Sequence, residues 1–189
     1  MEYNIVGSEF FKDQYNNALK NEEEQNWVVY TDLPIIGYGA VEGLVDLKYC
    51  EDNGILGIPL YANCGACVTF NGDITFVSLS KEPHKYQDDL VKAVYNFLKK
   101  KKIKCTLNKN DIMAELNGKE YKVASYAVGK VPYNSLCVLG LHISYNMDTK
   151  LIEAICTKPQ IKEPKGLKDF GIKAEELYKV ITDFLDNYK

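Results

Sequence analysis

Apolar residues recur along this chain with two periods, one near 3.6 and one near 2, and the places where one gives way to the other lay out its elements. From Ser8 to about Lys20 the residues Phe11, Tyr15, Ala18 and Leu19 fall on one face of a helix, with Ser8 as its N-cap. The acidic stretch Asn21 to Asn26 then reads as an exposed connection. Residues 27–31, 34–38, 56–61, 66–70 and 73–80 read as strands, punctuated by Asp32, Asn53-Gly54 and Asn71-Gly72. Asn71-Gly72, between two β-rich runs, is the strongest hairpin signal in the chain.

The helical period returns between Tyr86 and Lys100, where Leu90, Val91, Val94, Phe97 and Leu98 line one face and predict a helix packed on a sheet. Strands follow at about 103–107, 111–116, 119–128 and 135–146, with Asn117-Gly118 turning one hairpin. Thr149 to Ile155 suggests a short helix. Ala174 to Tyr188, with Leu177, Val180, Ile181, Phe184 and Leu185, forms a closing one. Mostly antiparallel strands with helices between them make an α+β pattern, unlike the strict alternation of a doubly wound parallel sheet. With no internal repeat or low-complexity linker, residues 1–189 are expected to form a single domain.

Composition narrows the function. The net charge of −3 gives a nucleic-acid role no electrostatic support. The run Lys99 to Lys104 is the local exception, and it suits the solvated C-terminal end of the preceding helix, where cations complement the dipole. No apolar run approaches the roughly 18 residues of a membrane span and no charged-then-apolar leader opens the chain, so a cytoplasmic protein is expected. Six cysteines, at 50, 64, 67, 105, 137 and 156, are expected to be reduced in a chain long enough to bury its own core. Cys64-Gly65-Ala66-Cys67 has metal-pair spacing, but no second pair accompanies it and no structural zinc is expected.

The candidate chemistry centres on Glu120-Tyr121-Lys122-Val123-Ala124-Ser125-Tyr126-Ala127. One lysine is set between apolar neighbours and followed at once by small residues, where another group can approach the backbone. Taken alone, Lys122 equally reads as a solvated strand lysine. The order of segments around it changes that reading.

In that order, Asn17-Ala18-Leu19, Trp27-Val28-Val29-Tyr30, Pro34-Ile35-Ile36-Gly37 and Gly57-Ile58-Pro59-Leu60-Tyr61 lead into Gly65-Ala66-Cys67-Val68-Thr69-Phe70-Asn71-Gly72-Asp73. Asn110-Asp111-Ile112, the Lys122 segment and Gly140-Leu141-His142-Ile143-Ser144-Tyr145-Asn146-Met147-Asp148 follow. This succession resembles the catalytic domain of the lipoate-protein ligase and octanoyltransferase family, related to biotin-protein ligases, and the resemblance spans most of the chain. It departs where ligases of the family place two arginines before a glycine-rich turn: this chain has Ala62-Asn63 and then Cys64-Gly65-Ala66. Neither Ala nor Asn reproduces the two-pronged hydrogen bond of an arginine to phosphate or carboxylate.

The resemblance implies a biotin/lipoate ligase-like α+β domain; ligases of the family usually carry an accessory domain, none is expected within residues 1–189, and three functions remain open. The first is a ligase that attaches lipoyl or a related acyl group to a carrier lysine, using lipoate or an acyl-adenylate with ATP and Mg. The second is an octanoyltransferase taking its acyl group from a carrier thioester through a cysteine, for which Cys156 is the candidate. The third is a degenerate, non-catalytic carrier- or ligand-binding protein. The expected partner is a lipoyl carrier domain or an acyl carrier protein, with an accessory chain as an option.

Lys122 would meet the carbonyl and phosphate of the activated acyl group, where a fixed ammonium stabilises charge developing on oxygen. Gly65, Ala66, Val68 and Thr69 would line the acyl pocket or approach the nucleotide, and Ala124 and Ser125 would let the substrate close on the Lys122 strand. Asp111 would orient Lys122 or hold a substrate amine, or else serves as a turn residue. His142 is a candidate ligand contact on a strand where a core or surface histidine is the plainer alternative.

Overall fold

The computed structural model describes residues 1–39, 44–61, 66–82, 86–157 and 163–188, with backbone alone at positions 38 and 66. Sheet A has seven strands in the order β1-β2-β6-β10-β9-β8-β7. These are β1 (Asn4–Gly7), β2 (Gln25–Tyr30), β6 (Ile74–Ser80), β10 (Cys137–Ile143), β9 (Lys119–Lys130), β8 (Asp111–Leu116) and β7 (Cys105–Asn108). All its pairings are antiparallel except β1 with β2. Sheet B is smaller, in the order β4-β3-β5, from Leu56–Pro59, Ile35–Tyr38 and Ala66–Thr69. Mixed sheets with segregated helices make this an α+β domain, as expected.

Helices cover one face of sheet A. Leu90, Val91, Val94 and Leu98 of α3 (Gln87–Lys100) and Leu177, Ile181 and Leu185 of α5 (Ala174–Asn187) are buried against Phe76, Leu139, Leu141, Ile143, Ile112 and Val123. The 3.6 period read from these segments is the stripe that meets the sheet. The opposite face carries α1 (Ser8–Asn21) and sheet B, where Phe11, Tyr15, Trp27, Ile35, Ile58, Leu60, Val77 and Leu79 share a second core. The outer face of sheet B packs Ile36, Val68 and Phe70 against Cys50 of α2 (Leu47–Asp52) and Ile152 and Ile155 of α4 (Thr149–Ile155). Sheet B therefore has one face on the outer helices and the other looking into the space above sheet A.

Two local expectations change. Ser8 is the first residue of α1 and Gly7 is the N-cap; the Ser8 hydroxyl instead donates to Asp32 Oδ1 at 2.5 Å, tying α1 to the β2–β3 connection. Asn71-Gly72 turns the chain, with Gly72 at φ +90, yet the flanking strands do not pair: β5 belongs to sheet B and β6 to sheet A. The turn passes the chain from one layer to the other. Asn117-Gly118 does close a hairpin, β8 to β9, with φ of 53 and 80, the positive pair that a two-residue turn requires. Three elements have no counterpart in the sequence reading: β1, α2 and a 3-10 turn at Leu167–Phe170. Among the described residues, no helix is long and apolar enough to cross a membrane.

Candidate functional site

A cavity of about 250 Å³ lies between the two sheets. Its floor is the face of sheet A that alternation turns away from the helices, and strand register sorts that floor into two rows. Thr75, His142, Ser125 and Asp111 stand side by side across β6, β10, β9 and β8. Two residues further along each strand, about 7 Å, Val77, Gly140 and Ala127 form the next row. The first row is polar and the second is not. Val29, paired with Thr75, continues the first row on β2, and Phe11, Ile35, Ile58, Leu60, Thr69 and Asn110 complete the lining.

Lys122 lines the cavity at its polar end through a break in the pleat. Ile112 pairs with Ala124 and Met113 with Lys122, so β9 carries one residue more than β8 across this step. That bulge lets both Val123 and Ala124 join the helix-side core, each 2 % exposed or less. Lys122 consequently falls on the cavity face with Ser125 and Ala127, although strict alternation from Ala124 would send it to the helices. The backbone there is clamped from the other side. Lys122 N–H donates to Glu163 O and Lys165 N–H donates to Lys122 O, both at 2.9 Å, so residues 163–165 extend the sheet beside β9 where β10 has ended.

His142 is 7 % exposed and both ring nitrogens are engaged beneath the floor. Nδ1 lies 3.1 Å from Thr75 Oγ1; Nε2 lies 3.1 Å from Ser144 Oγ and 3.4 Å from Asp73 Oδ2. A neutral ring with its proton on Nε2 accepts from Thr75 and donates toward Ser144 and Asp73. Burial, and then the charge of Lys122, push the His142 pKa down to about 3, in keeping with that neutral form. Asp73 is fully buried, and burial raises its pKa to about 7 even though its oxygens accept N–H bonds from Tyr145 at 2.7 Å and from Asn146 and Phe70 at 2.9 Å. Asp73 thus fastens the β5–β6 turn to the chain leaving β10.

A second cavity of about 40 Å³ adjoins the first, and Lys122, Ser125, His142 and Cys67 line both. Its other walls are Val68, Ala124, Ser144, Met147, Ile152 and Pro164.

Of the residues singled out in the sequence, Lys122, Asp111, Ser125, His142 and Thr69 meet at the larger cavity, and Val68 and Ala124 at the smaller. Gly65 lies outside the described residues, and Ala66 is placed by its backbone alone, opposite Tyr38. Cys156 is the C-cap residue of α4, packs at the rim of the core outside sheet B, and lines neither cavity. Cys67, Thr75, Asp73 and Gly140 were not singled out. Parity along the strands carries the signal for two of them: a cavity-facing His142 implies Gly140 two residues before it, and Thr75 follows once β6 is paired. Gly140, an isolated glycine within a strand pattern, is itself a mark of close approach. Among the described residues no group of three acidic, His or Cys side chains could hold a metal ion.

Neither a family model nor a characterised protein sequence matches this chain. Solved structures do. The chain is similar to the bipartite lipoate protein ligase of Thermoplasma acidophilum, studied with its E2 lipoyl domain, at a TM-score of 0.70 and 17% identity over 98% of this chain and 83% of that one. It is similar to lipoate-protein ligase A bound with ATP, at a TM-score of 0.68 and 21% identity over 98% and 85%. A third similarity is to P. falciparum LipL1 in complex with lipoate, at 0.68 and 17% over 95% of this chain and 59% of that longer one. The chain has the fold of a lipoate-protein ligase catalytic domain.

Proposed function

We propose that this protein transfers lipoyl or a related medium-chain acyl group to a lysine of a carrier protein. The observation that carries the reading is Lys122, turned by the β9 bulge into the polar end of a cavity whose remaining length is apolar. An acid of that kind has matching halves. Its carboxyl group meets the ammonium and hydroxyl groups of the polar row, and its hydrocarbon meets Val77, Ala127, Ile58, Leu60 and Phe11.

When a lysine amine attacks the activated carbonyl, negative charge grows on oxygen, and the half-buried Lys122 stabilises it at the polar end of the cavity. His142 stays neutral below the floor and adds no competing charge. ATP, with Mg, is the activating agent on the ligase reading. Lys122 and the small cavity beyond it, walled by Ser125, Ser144 and His142, fit a phosphate-sized group. A lipoyl carrier domain is the acceptor, as the E2 lipoyl domain is for the archaeal ligase this chain resembles.

One observation favours a second reading, transfer from a thioester. Cys67 lines both cavities beside Lys122, and a neighbouring ammonium favours the thiolate that would take the acyl group. On this reading Cys67 takes the place that the sequence offered to Cys156.

Intact-mass spectrometry of a lipoyl carrier domain tests both. Incubation with ATP and lipoate gives a carrier heavier by one lipoyl group on the first reading; incubation with octanoyl thioester alone gives an octanoylated carrier on the second. An unmodified carrier in both tubes refutes acyl transfer.

A further inference from the structure

Among the described residues two glycines line the larger cavity, and they leave different things behind. A Cβ on Gly37 would meet Leu60 Cδ1 at 2.6 Å, so the side chain missing from Gly37 is replaced by Leu60. A Cβ on Gly140 would meet no protein atom within 4 Å. Gly140 lies in the middle of the floor, between Val77 on β6 and Ala127 on β9, and its missing side chain opens onto the cavity itself.

Nothing in the backbone requires glycine there. Gly140 is paired on both sides within the regular part of β10, and its φ lies outside the left-handed region. A glycine inside a strand weakens the sheet relative to a residue with a side chain, by roughly 0.5–1 kcal/mol. The neighbouring strand positions on this face carry Val138 and His142. A site that lowers sheet stability, leaves space unfilled and answers no conformational demand is explained by what enters the space.

We infer that Gly140 is the specificity-determining residue of the cavity: its bare backbone is the track over which the middle of an unbranched acyl chain passes. This rests on the reading of Lys122 as the carboxyl end of the site. The Gly140 row lies two residues, about 7 Å, from the polar row of Ser125 and His142, and Lys122 lies beyond that row on its other side, level with Met113. Lys122 lines the same cavity, so a carboxyl group held between it and the polar row leads a chain that crosses Gly140 at its mid-chain carbons. Ile58, Leu60 and Phe11 supply apolar walls to that cavity. The substrate class is a medium-chain acid, straight or tipped by a compact ring. A short acid ends before Gly140; a branch at mid-chain strikes the floor.

The test is a side-chain series at one position, Gly140→Ala and Gly140→Val, read by calorimetric titration of the full chain with butanoate, hexanoate, octanoate, decanoate and lipoate. Both variants are expected to melt at or above the parent's temperature, because a side chain suits a strand better than glycine does. Octanoate, decanoate and lipoate are expected to weaken by about tenfold or more at each step of added bulk. Butanoate, which stops short of the row, should bind each variant as it binds the parent. Equal binding of octanoate to parent and both variants overturns the inference, as does an equal loss of butanoate and octanoate in a variant that remains folded. Gly140→Ala keeps the test decisive should the valine variant fail to fold. A parent that binds none of the five acids overturns the reading of Lys122 and this inference with it, an outcome distinct from a parent that binds acids but whose variants show no dependence on chain length.

Discussion

On the helix side of β10, Leu139, Leu141 and Ile143 are each 1 % exposed and meet α3 and α5 across a core whose buried hydroxyls, Ser78 and Tyr86, hydrogen-bond each other. On the other side the same strand presents Gly140 and His142: one has no side chain, and the other is a buried imidazole held by three polar neighbours. The comparison separates two jobs that a single alternating sequence performs. Stability comes from the face that is closely packed, mostly with hydrocarbon. The capacity to bind comes from the face where filling is incomplete and polar groups are held at fixed points, each of which works against stability when considered alone.

The largest expected effect lies on the cavity face. Lys122→Ala should lower the rate of carrier modification by about 10²–10³-fold while leaving the melting temperature close to that of the parent. Measured initial rates with full-length protein check it, and an unchanged rate would erase the functional half of the comparison. Next comes the helix face, where Leu141→Ala should cost about 2–5 kcal/mol in urea unfolding. Binding of octanoate well below the melting temperature should persist, since Leu141 touches the layer opposite the cavity.

The third prediction concerns pH, through Asp73 and His142. Asp73 binds a proton in the folded state up to about pH 7 and His142 gives one up above about pH 3, against ordinary values of 3.8 and 6.5 in the unfolded chain. Between pH 4 and 6.5 the folded pair therefore carries one proton, on the aspartate, and the unfolded pair also carries one, on the histidine. Equal proton counts mean that the pair contributes almost no slope of stability with pH. Single variants unmask opposite slopes. His142→Gln leaves a buried acid whose ionisation is unfavourable, so stability should rise as pH falls from 7 toward 4. Asp73→Asn leaves a buried imidazole, so stability should fall as pH drops below 6.5. Each slope reaches at most about 1.4 kcal/mol per pH unit. Chemical denaturation at several pH values reads both, and parallel profiles for the two variants would refute the shared-proton account. The smallest effect is expected for Thr75→Val, which removes a hydroxyl from His142 Nδ1 and should cost about 1 kcal/mol.

How far the sequence carries is shown by its two Asn-Gly turns. Each dipeptide does turn the chain, because Gly72 and Gly118 both take positive φ. Only the second joins paired strands. A dipeptide controls the backbone over a few residues, whereas membership of a sheet depends on partners far along the chain, so the passage from sheet B to sheet A at Asn71-Gly72 has no local mark. The helices over 87–100, 149–155 and 174–187 were legible because their apolar stripes run for several turns. Strand β1 was not: four residues that include the exposed Ile5 show no alternation.

The site divides in the same way. Lys122, Ser125, Asp111 and His142 stood out by residue type and by the order of the segments carrying them. The assembly of Asp111, Ser125 and His142 into one row, with Lys122 beyond it, follows from register. The face on which Lys122 lies follows from a single unpaired residue at Val123, and neither is written in any window of sequence.

The clamp on Lys122 bears on the order in which this protein becomes functional. Glu163 and Lys165 grip both backbone groups of Lys122, and they reach it only after the chain has gone through β10 and α4. A nascent chain that has finished all ten strands already has its sheets and the floor of its cavity. Lys122 is then paired on its β8 side, and its own N–H and C=O gain partners only when residues 163–165 dock. The setting of Lys122 is thus completed by a segment made after both sheets, and slow amide exchange at Lys122 would report that the docking has occurred.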